Sequence, residues 1–386
     1  MQTLLRGARV LQPGGWLDRA DVLVEGARIV AVARDLSADA GVSRVDLTGL
    51  TLLPGFVDLH VHGGGGFGLA ATDPAEIDSY RRWVSGTGVT SFLATVCAED
   101  VRAALPVLET LAAAGGRGEG AELLGINLEG PFISAQKRGA LPETWVTPPD
   151  PGTFEALVQA AGGTLRLMTV APEVPGALTI IEAAVSRGIV VSVGHTDAGY
   201  GEASAAFAAG ASHVTHAFNA MRPWHHRQPG PLGAALERAG VTVELIADGV
   251  HLHPATVRLL VRALGPQRVA LVTDAVPPAG LQSGVFALGG HEARLQDGAV
   301  RLPDGTIAGS AATMDQMVRN VLQWGCADLQ AVAEMASATP ARVLGLAGRK
   351  GRIAPGYDAD MVALDAELRV AKTWVAGRTV FQRASG

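Results

Sequence analysis

Two histidines one residue apart, His60 and His62, close an apolar run in "GFVDLHVHGGGG" (55–66). Side chains at i and i+2 of a strand share a face, so both imidazoles project together. The glycines that follow permit positive φ and a close approach of backbone to a bound group. Glu129, His195, His216 and Asp274 end further runs of the same apolar, β-branched kind. Three or more imidazoles beside carboxylates are the donor set of Zn²⁺ or a similar first-row divalent ion. An ion held this way lowers the pKa of a water and polarises a carbonyl oxygen, which is hydrolytic chemistry. Asp274, placed beside that water, can take its proton and hand it to a leaving group. Its plainer role is that of a further ligand.

Each of these residues also has an ordinary reading. A strand-end histidine commonly satisfies one structural hydrogen bond, Glu129 can cap a helix, and Asp274 can hold a turn. What separates them from His213, His225, His226, His253 and His291 is a shared position at strand ends. His213 lies three residues before His216 and faces the other side of a regular strand.

The elements that must position them follow from periodicity. Strand-like runs occur at 55–62, 89–96, 122–130, 165–173, 189–196, 213–221, 241–249 and 268–275. Segments with helical spacing lie between them, such as "EDVRAALPVLETLAAAGG", "GALTIIEAAVSRG" and "ATVRLLVRALG". This alternation predicts the α/β class, specifically a (β/α)8 TIM barrel whose C-terminal rim gathers the candidate residues. Residues 1–53 and 354–386 instead carry short alternating runs. Neither end alone buries a core, so they predict one small β-sandwich domain formed from both chain ends, with the barrel over 54–353. A helical segment near 327–346 leads back into it.

Bulk properties narrow the function. The chain has 386 residues, 48% of them apolar, and a net charge of −6. It lacks a dense basic run, which argues against a nucleic-acid surface and means that an anionic substrate needs a local cationic pocket. No apolar stretch of spanning length and no signal-peptide pattern are present, so the expectation is a cytoplasmic protein with no membrane partner. Cys97 and Cys326 lack metal or redox spacing and read as reduced packing residues.

At these residues the chain resembles the amidohydrolase superfamily and, within it, the N-acetylglucosamine-6-phosphate deacetylase family. "PGFVDLHVHG", "NLEGPF", "VGHTDA", "THAFNAM", "PGPLGAAL", "IADGVHLHP", "LVTDA" and "AGSAATM" fall in the family's order through nearly the whole chain. The H-x-H pair belongs to the superfamily at large; "NLEGP", "GHT", "FNAM" and "DGVH" together are much narrower. The resemblance implies hydrolysis of the acetamide of a phosphorylated N-acetyl amino sugar, with Asp274 as acid/base. It implies one or two divalent ions per subunit, Zn or Fe, the first on Glu129, His195 and His216. His60 and His62 would hold the second, with Glu129 bridging.

For the substrate, the resemblance implies backbone donors at Asn219 and Ala220 and contacts around Asp248 and His251. Arg227 would reach the phosphate, in some members from a neighbouring subunit, so a homodimer is implied. The loop at Ala308, Gly309 and Ser310 would close over the acetyl group. After "NLEGPFISAQKRG", Ala140 keeps the register, but Leu141 stands where some members place a sugar-contacting histidine.

Other readings remain open. Relatives that bridge two metals with a carboxylated lysine are disfavoured, because the fourth strand, "LRLMTVAPE", has no lysine and Lys137, Lys350 and Lys372 end no barrel strand. Deamination of a purine-like C–N bond, or N-acyl hydrolysis of another small substrate, would use the same activated water. A non-catalytic barrel scaffold is the reading from a different class.

Overall fold

The computed structural model describes residues 2–37, 39, 41–288, 291–296 and 298–384; the His291 side chain lies outside what it describes. Eight strands form one sheet in chain order: Phe56–Val61, Val89–Val96, Glu122–Glu129, Leu165–Val170, Val190–Val193, His213–Val214, Thr242–Leu245 and Val269–Leu271. Every neighbouring pair is parallel. A parallel bridge between Val61 and Ala275, with Asp274 N–H donating to the His60 carbonyl at 2.8 Å, joins the last strand to the first. The expected barrel is therefore present.

Several strands stop earlier than their apolar runs suggest. The sixth, expected over 213–221, ends at Val214. The cause lies in the backbone: His216, Phe218 and Ala220 adopt positive φ, as do His195 and Asp274, and such residues cannot continue a ladder. The chain turns out of the sheet at the residues it must present at the rim.

A helix follows each strand. Asp100 caps Val101–Ala114 by accepting from Ala103 N–H at 2.8 Å, and Asp150 caps Pro151–Ala160 by accepting from Thr153 N–H at 2.7 Å. The segment expected as helix near 327–346 comprises α-helical Leu329–Ala333, a π-helical turn at Glu334–Ala338 and α-helical Thr339–Val343.

Both chain ends build a second, mixed sheet. Thr51–Pro54 pairs antiparallel with Met361–Leu364 and parallel with the first strand, Gln2–Gln12. Leu5, Val10, Val22 and Leu52 share one apolar core with Met361 and Trp374. An ion cluster ties this sheet's C-terminal approach to the bottom of the barrel. The Lys350 ammonium lies 2.6 Å from Glu122 Oε2 at the start of the third barrel strand, and 2.5 Å from Asp360 Oδ2.

One element is absent from the sequence-based expectation. Between the eighth barrel strand and helix Met314–Gln323, a four-stranded antiparallel sheet runs through Gly284–Leu288, His291–Gln296, Ala299–Arg301 and Ile307–Ser310. Its signal was available at Asp304-Gly305, a hairpin dipeptide where Thr306 N–H donates to the Asp304 carboxylate at 2.9 Å.

Candidate active site

Five barrel strands deliver their terminal side chains to one point. Glu129 Oε1 lies 2.9 Å from His195 Nε2 and 3.1 Å from His216 Nε2, and those two nitrogens are 3.1 Å apart. The second oxygen, Glu129 Oε2, is 3.3 Å from His62 Nε2. Asp274 Oδ1 completes the cluster, 3.3 Å from His62 Nε2 and 3.6 Å from His60 Nε2. The structure thus brings together all six residues singled out by position.

Their backbones are strained to do so. His195, His216 and Asp274 have φ of 46°, 23° and 46°, left-handed values that cost about 1–3 kcal/mol each outside glycine. Hydrogen bonds hold them there. Ser310 N–H donates to the Asp274 carbonyl at 2.8 Å, and the His216 N–H donates to Glu244 Oε2 at 3.0 Å. His195 Nδ1 donates to the Lys137 carbonyl at 2.9 Å, which leaves its Nε2 lone pair for the centre.

The electrostatics call for positive charge. Burial alone would lower the His60 pKa, yet Glu129 and Glu244 hold it well above the ordinary imidazole value. Burial would likewise lower His62, but Cys97, Asp274 and Glu129 raise it. Burial would raise the Glu129 carboxyl, whereas His60 and His195 pull it well below the usual range. His60 Nε2 is fully buried with no hydrogen-bond partner, although carboxylate oxygens stand close by. Imidazole nitrogens aimed at shared carboxylate oxygens, one of them orphaned, fit a divalent cation. Donor atoms close enough to share an ion occur in the groups His60–His62–Asp274, His60–Glu129–His216 and His62–Cys97–Glu129, with His195 Nε2 against the same Glu129 oxygen as His216.

The cluster floors a cavity of about 620 Å³. Of the residues expected at the substrate, Ala140, Leu141, Asn219, Ala220, His251, Ala308 and Gly309 line it. Others sit differently. Asp248 lies behind His251, whose Nδ1 it holds at 2.7 Å. Ser310 is buried, with its backbone engaged to the eighth strand and its hydroxyl accepting from Ala312 N–H at 3.0 Å. The Asn219 N–H, expected as a substrate donor, is taken by the His216 carbonyl at 3.0 Å because the chain tightens into a turn. Arg227 is exposed on the loop after Met221 and does not line this cavity.

Sequence reasoning missed other parts of the site. Glu244, buried in the seventh strand, accepts from His60 Nδ1 at 3.1 Å. Asp58 shares a strand face with His60 and His62, and burial pushes its carboxyl up to about 7 although Thr273 donates to it. Cys97 stands 3.9 Å from His62 Nδ1. A lone carboxylate inside an apolar strand was the available signal for Glu244 and Asp58. The inserted sheet also contributes Leu302, Thr306 and Ile307 to the cavity wall.

Comparison with known proteins places this geometry. The sequence pattern of the amidohydrolase family matches residues 51–380. The chain belongs to the amidohydrolase family. Among amidohydrolases it is similar to the N-acetylglucosamine-6-phosphate deacetylase of Bacillus subtilis, 38% identical over 86% of this chain and 84% of that protein. The human protein of the same name is 38% identical over 97% of each chain. An N-acetylgalactosamine-6-phosphate deacetylase of Escherichia coli O157:H7 is 35% identical over 98% of this chain and 99% of its own. Among solved amidohydrolase structures, a Mycobacterium smegmatis N-acetyl-D-glucosamine-6-phosphate deacetylase variant in complex with N-acetyl-D-glucosamine-6-phosphate superposes with a TM-score of 0.91 at 37% identity, covering 98% of this chain and 99% of that one. No helix among the described residues is long and apolar enough to cross a membrane.

Proposed function

We propose that this amidohydrolase is a metal-dependent deacetylase of N-acetylglucosamine 6-phosphate, releasing glucosamine 6-phosphate and acetate. The observation that carries the reading is Asp274 beside the His60–His62–Glu129–His195–His216 cluster at the floor of a cavity sized for a small ligand. When bound there, one or two divalent ions, Zn or Fe, make a water nucleophilic and polarise the acetamide carbonyl. The nitrogen and oxygen donors suit either metal.

The chain's own residues do the rest. Asp274 is aimed by its left-handed backbone and takes the proton of the attacking water. As the carbon–nitrogen bond breaks, the same carboxyl returns that proton to the departing amine. Asp248 fixes the His251 imidazole toward the sugar, and the Ala308–Gly309 segment covers the acetyl end. Arg227 serves the phosphate in the neighbouring subunit of a homodimer, which supplies the local positive charge an acidic chain needs. Leu141 offers the sugar no hydrogen bond, so recognition of the epimeric hydroxyl falls to other groups.

The test is acetate release from N-acetylglucosamine 6-phosphate by purified protein, with its metal content determined and N-acetylgalactosamine 6-phosphate run in parallel. Release from the first substrate is expected. A fully metallated protein that releases no acetate from either sugar overturns the assignment.

A further inference from the structure

Glu244 is among the buried ionisable groups to which the proposed reaction gives no task. Glu244 has no exposed surface, and both its oxygens are engaged. Oε2 accepts from His60 Nδ1 at 3.1 Å and from the His216 N–H at 3.0 Å; Oε1 accepts from His213 Nε2 at 3.1 Å. Burying a carboxylate so completely is costly unless its partners repay it, and a hydrophobic residue would fill the strand more cheaply. Two of these three contacts go to His60 and His216, whose Nε2 atoms both face Glu129.

Because a carboxylate can only accept, Glu244 selects the neutral tautomer of His60 that keeps its proton on Nδ1 and offers the Nε2 lone pair to a cation. Nε2 is the orphaned atom that faces Glu129 and Asp274. The same carboxylate clamps the His216 backbone at φ 23°, the turn that presents the other imidazole to Glu129. His213, which is no ligand, braces Glu244 from its far side. The His60 backbone is fixed as well, its N–H donating to Asp58 Oδ1 at 3.3 Å.

We propose that Glu244 is a positioning residue that makes His60 a metal ligand through Nε2 and keeps the H-x-H half of the site in register with the His195–His216 half. The inference rests on the metal dependence argued above, and it names a residue that never touches substrate. An outer carboxylate of this kind is worth about 10–100-fold in metal affinity.

The experiment follows ion retention rather than turnover. Full-length wild type, Glu244→Gln, Glu244→Asp, His60→Asn and the double variant His60→Asn/Glu244→Gln are loaded with Zn²⁺ and dialysed against graded chelator. Metal per subunit is then counted, and circular dichroism selects folded samples. The glutamine side chain fills the same volume; the aspartate variant stands in if it fails to fold. The expected result is that Glu244→Gln gives up one ion about 10–100-fold more readily than wild type. It gives up the ion that His60→Asn also lacks, and the double variant shows no further loss.

In the same samples kcat falls, KM for the sugar phosphate stays within about twofold, and raising free Zn²⁺ restores kcat; a merely structural role would not respond to added metal. Retention equal to wild type, or a further loss in the double variant, overturns the proposal. Since retention is read without substrate, a protein inactive on N-acetylglucosamine 6-phosphate would refute the deacetylase reading and leave this result standing.

Discussion

His195 and His216 point their Nε2 atoms at each other across 3.1 Å, and both meet the same oxygen of Glu129. Two imidazole nitrogens and a carboxylate oxygen in such contact are reconciled by a cation between them. Removal of metal by a strong chelator is therefore expected to abolish acetate release and to lower Tm. An ion at 1,000 times its Kd contributes about 4 kcal/mol to the folded state. Re-addition of Zn²⁺ or Fe²⁺ restores both. A verified metal-free sample with unchanged Tm and activity would sink the metal reading.

Asp274→Asn keeps the shape of the side chain but cannot accept and return a proton. The expected loss in kcat is about 10²–10⁴-fold, with KM nearly unchanged. Steady-state acetate release checks it, with bound metal counted to show that the site is still loaded. A variant within threefold of wild type would remove Asp274 from the proton-transfer role.

Arg227 stands on the protein surface, outside the cavity of its own chain. If it completes a neighbour's phosphate site, Arg227→Ala raises KM by about 10-fold or more, since a hydrogen bond to a charged group contributes about 1.5–3 kcal/mol. The loss of kcat is small. Mixing Arg227→Ala with Asp274→Asn subunits then recovers activity at the mixed sites, because each subunit supplies what the other lacks. Absence of recovery in exchanged dimers would show that the arginine works within its own chain.

Glu122 and Lys350 make stability depend on pH in opposite senses. Burial would raise Glu122, but Lys350 and Arg349 lower it, so its support is present above the ordinary value of 4.5 and is lost as pH falls through the depressed one. Burial would lower Lys350, but Asp360 and Glu122 raise it. Its support is complete below 10.5 and disappears as pH rises through the raised value. Glu122→Gln is expected to cost about 3–5 kcal/mol at pH 7, as breaking a buried pair does. Denaturant unfolding at pH 7 and pH 3 checks this: the cost shrinks in acid, and equal costs at both would contradict the linkage.

Much of this molecule is legible in its amino-acid sequence. All eight barrel strands fall within the runs read from periodicity, because a buried parallel strand is almost wholly apolar and stands out between amphipathic helices. His60, His62, Glu129, His195, His216 and Asp274 were visible as polar residues ending such runs. Glu244 was not, since it sits inside its run, and only the fold reveals that His60 lies beside it. Lys137 contributes a backbone carbonyl, which leaves no trace in side-chain type. The inserted sheet was missed because its strands are short and half-polar, and the turn that engages the Asn219 N–H left no mark in the sequence because a turn's internal hydrogen bond depends on dihedral angles.

The small sheet sets a timetable for synthesis. Arg28 binds the Gly356 carbonyl 328 positions later, and Thr51–Pro54 pairs with Met361–Leu364. At about 5–20 residues per second, the first strands leave the ribosome roughly 20–60 s before their partners exist. Meanwhile Leu5, Val10, Val22 and Leu52 have no finished core to enter. Limited proteolysis of stalled nascent chains is expected to cut the first 50 residues until the last strands emerge. Protection appearing earlier would mean that the amino-terminal strands find an interim partner. The sheet therefore cannot close around its core until Met361–Leu364 has been made.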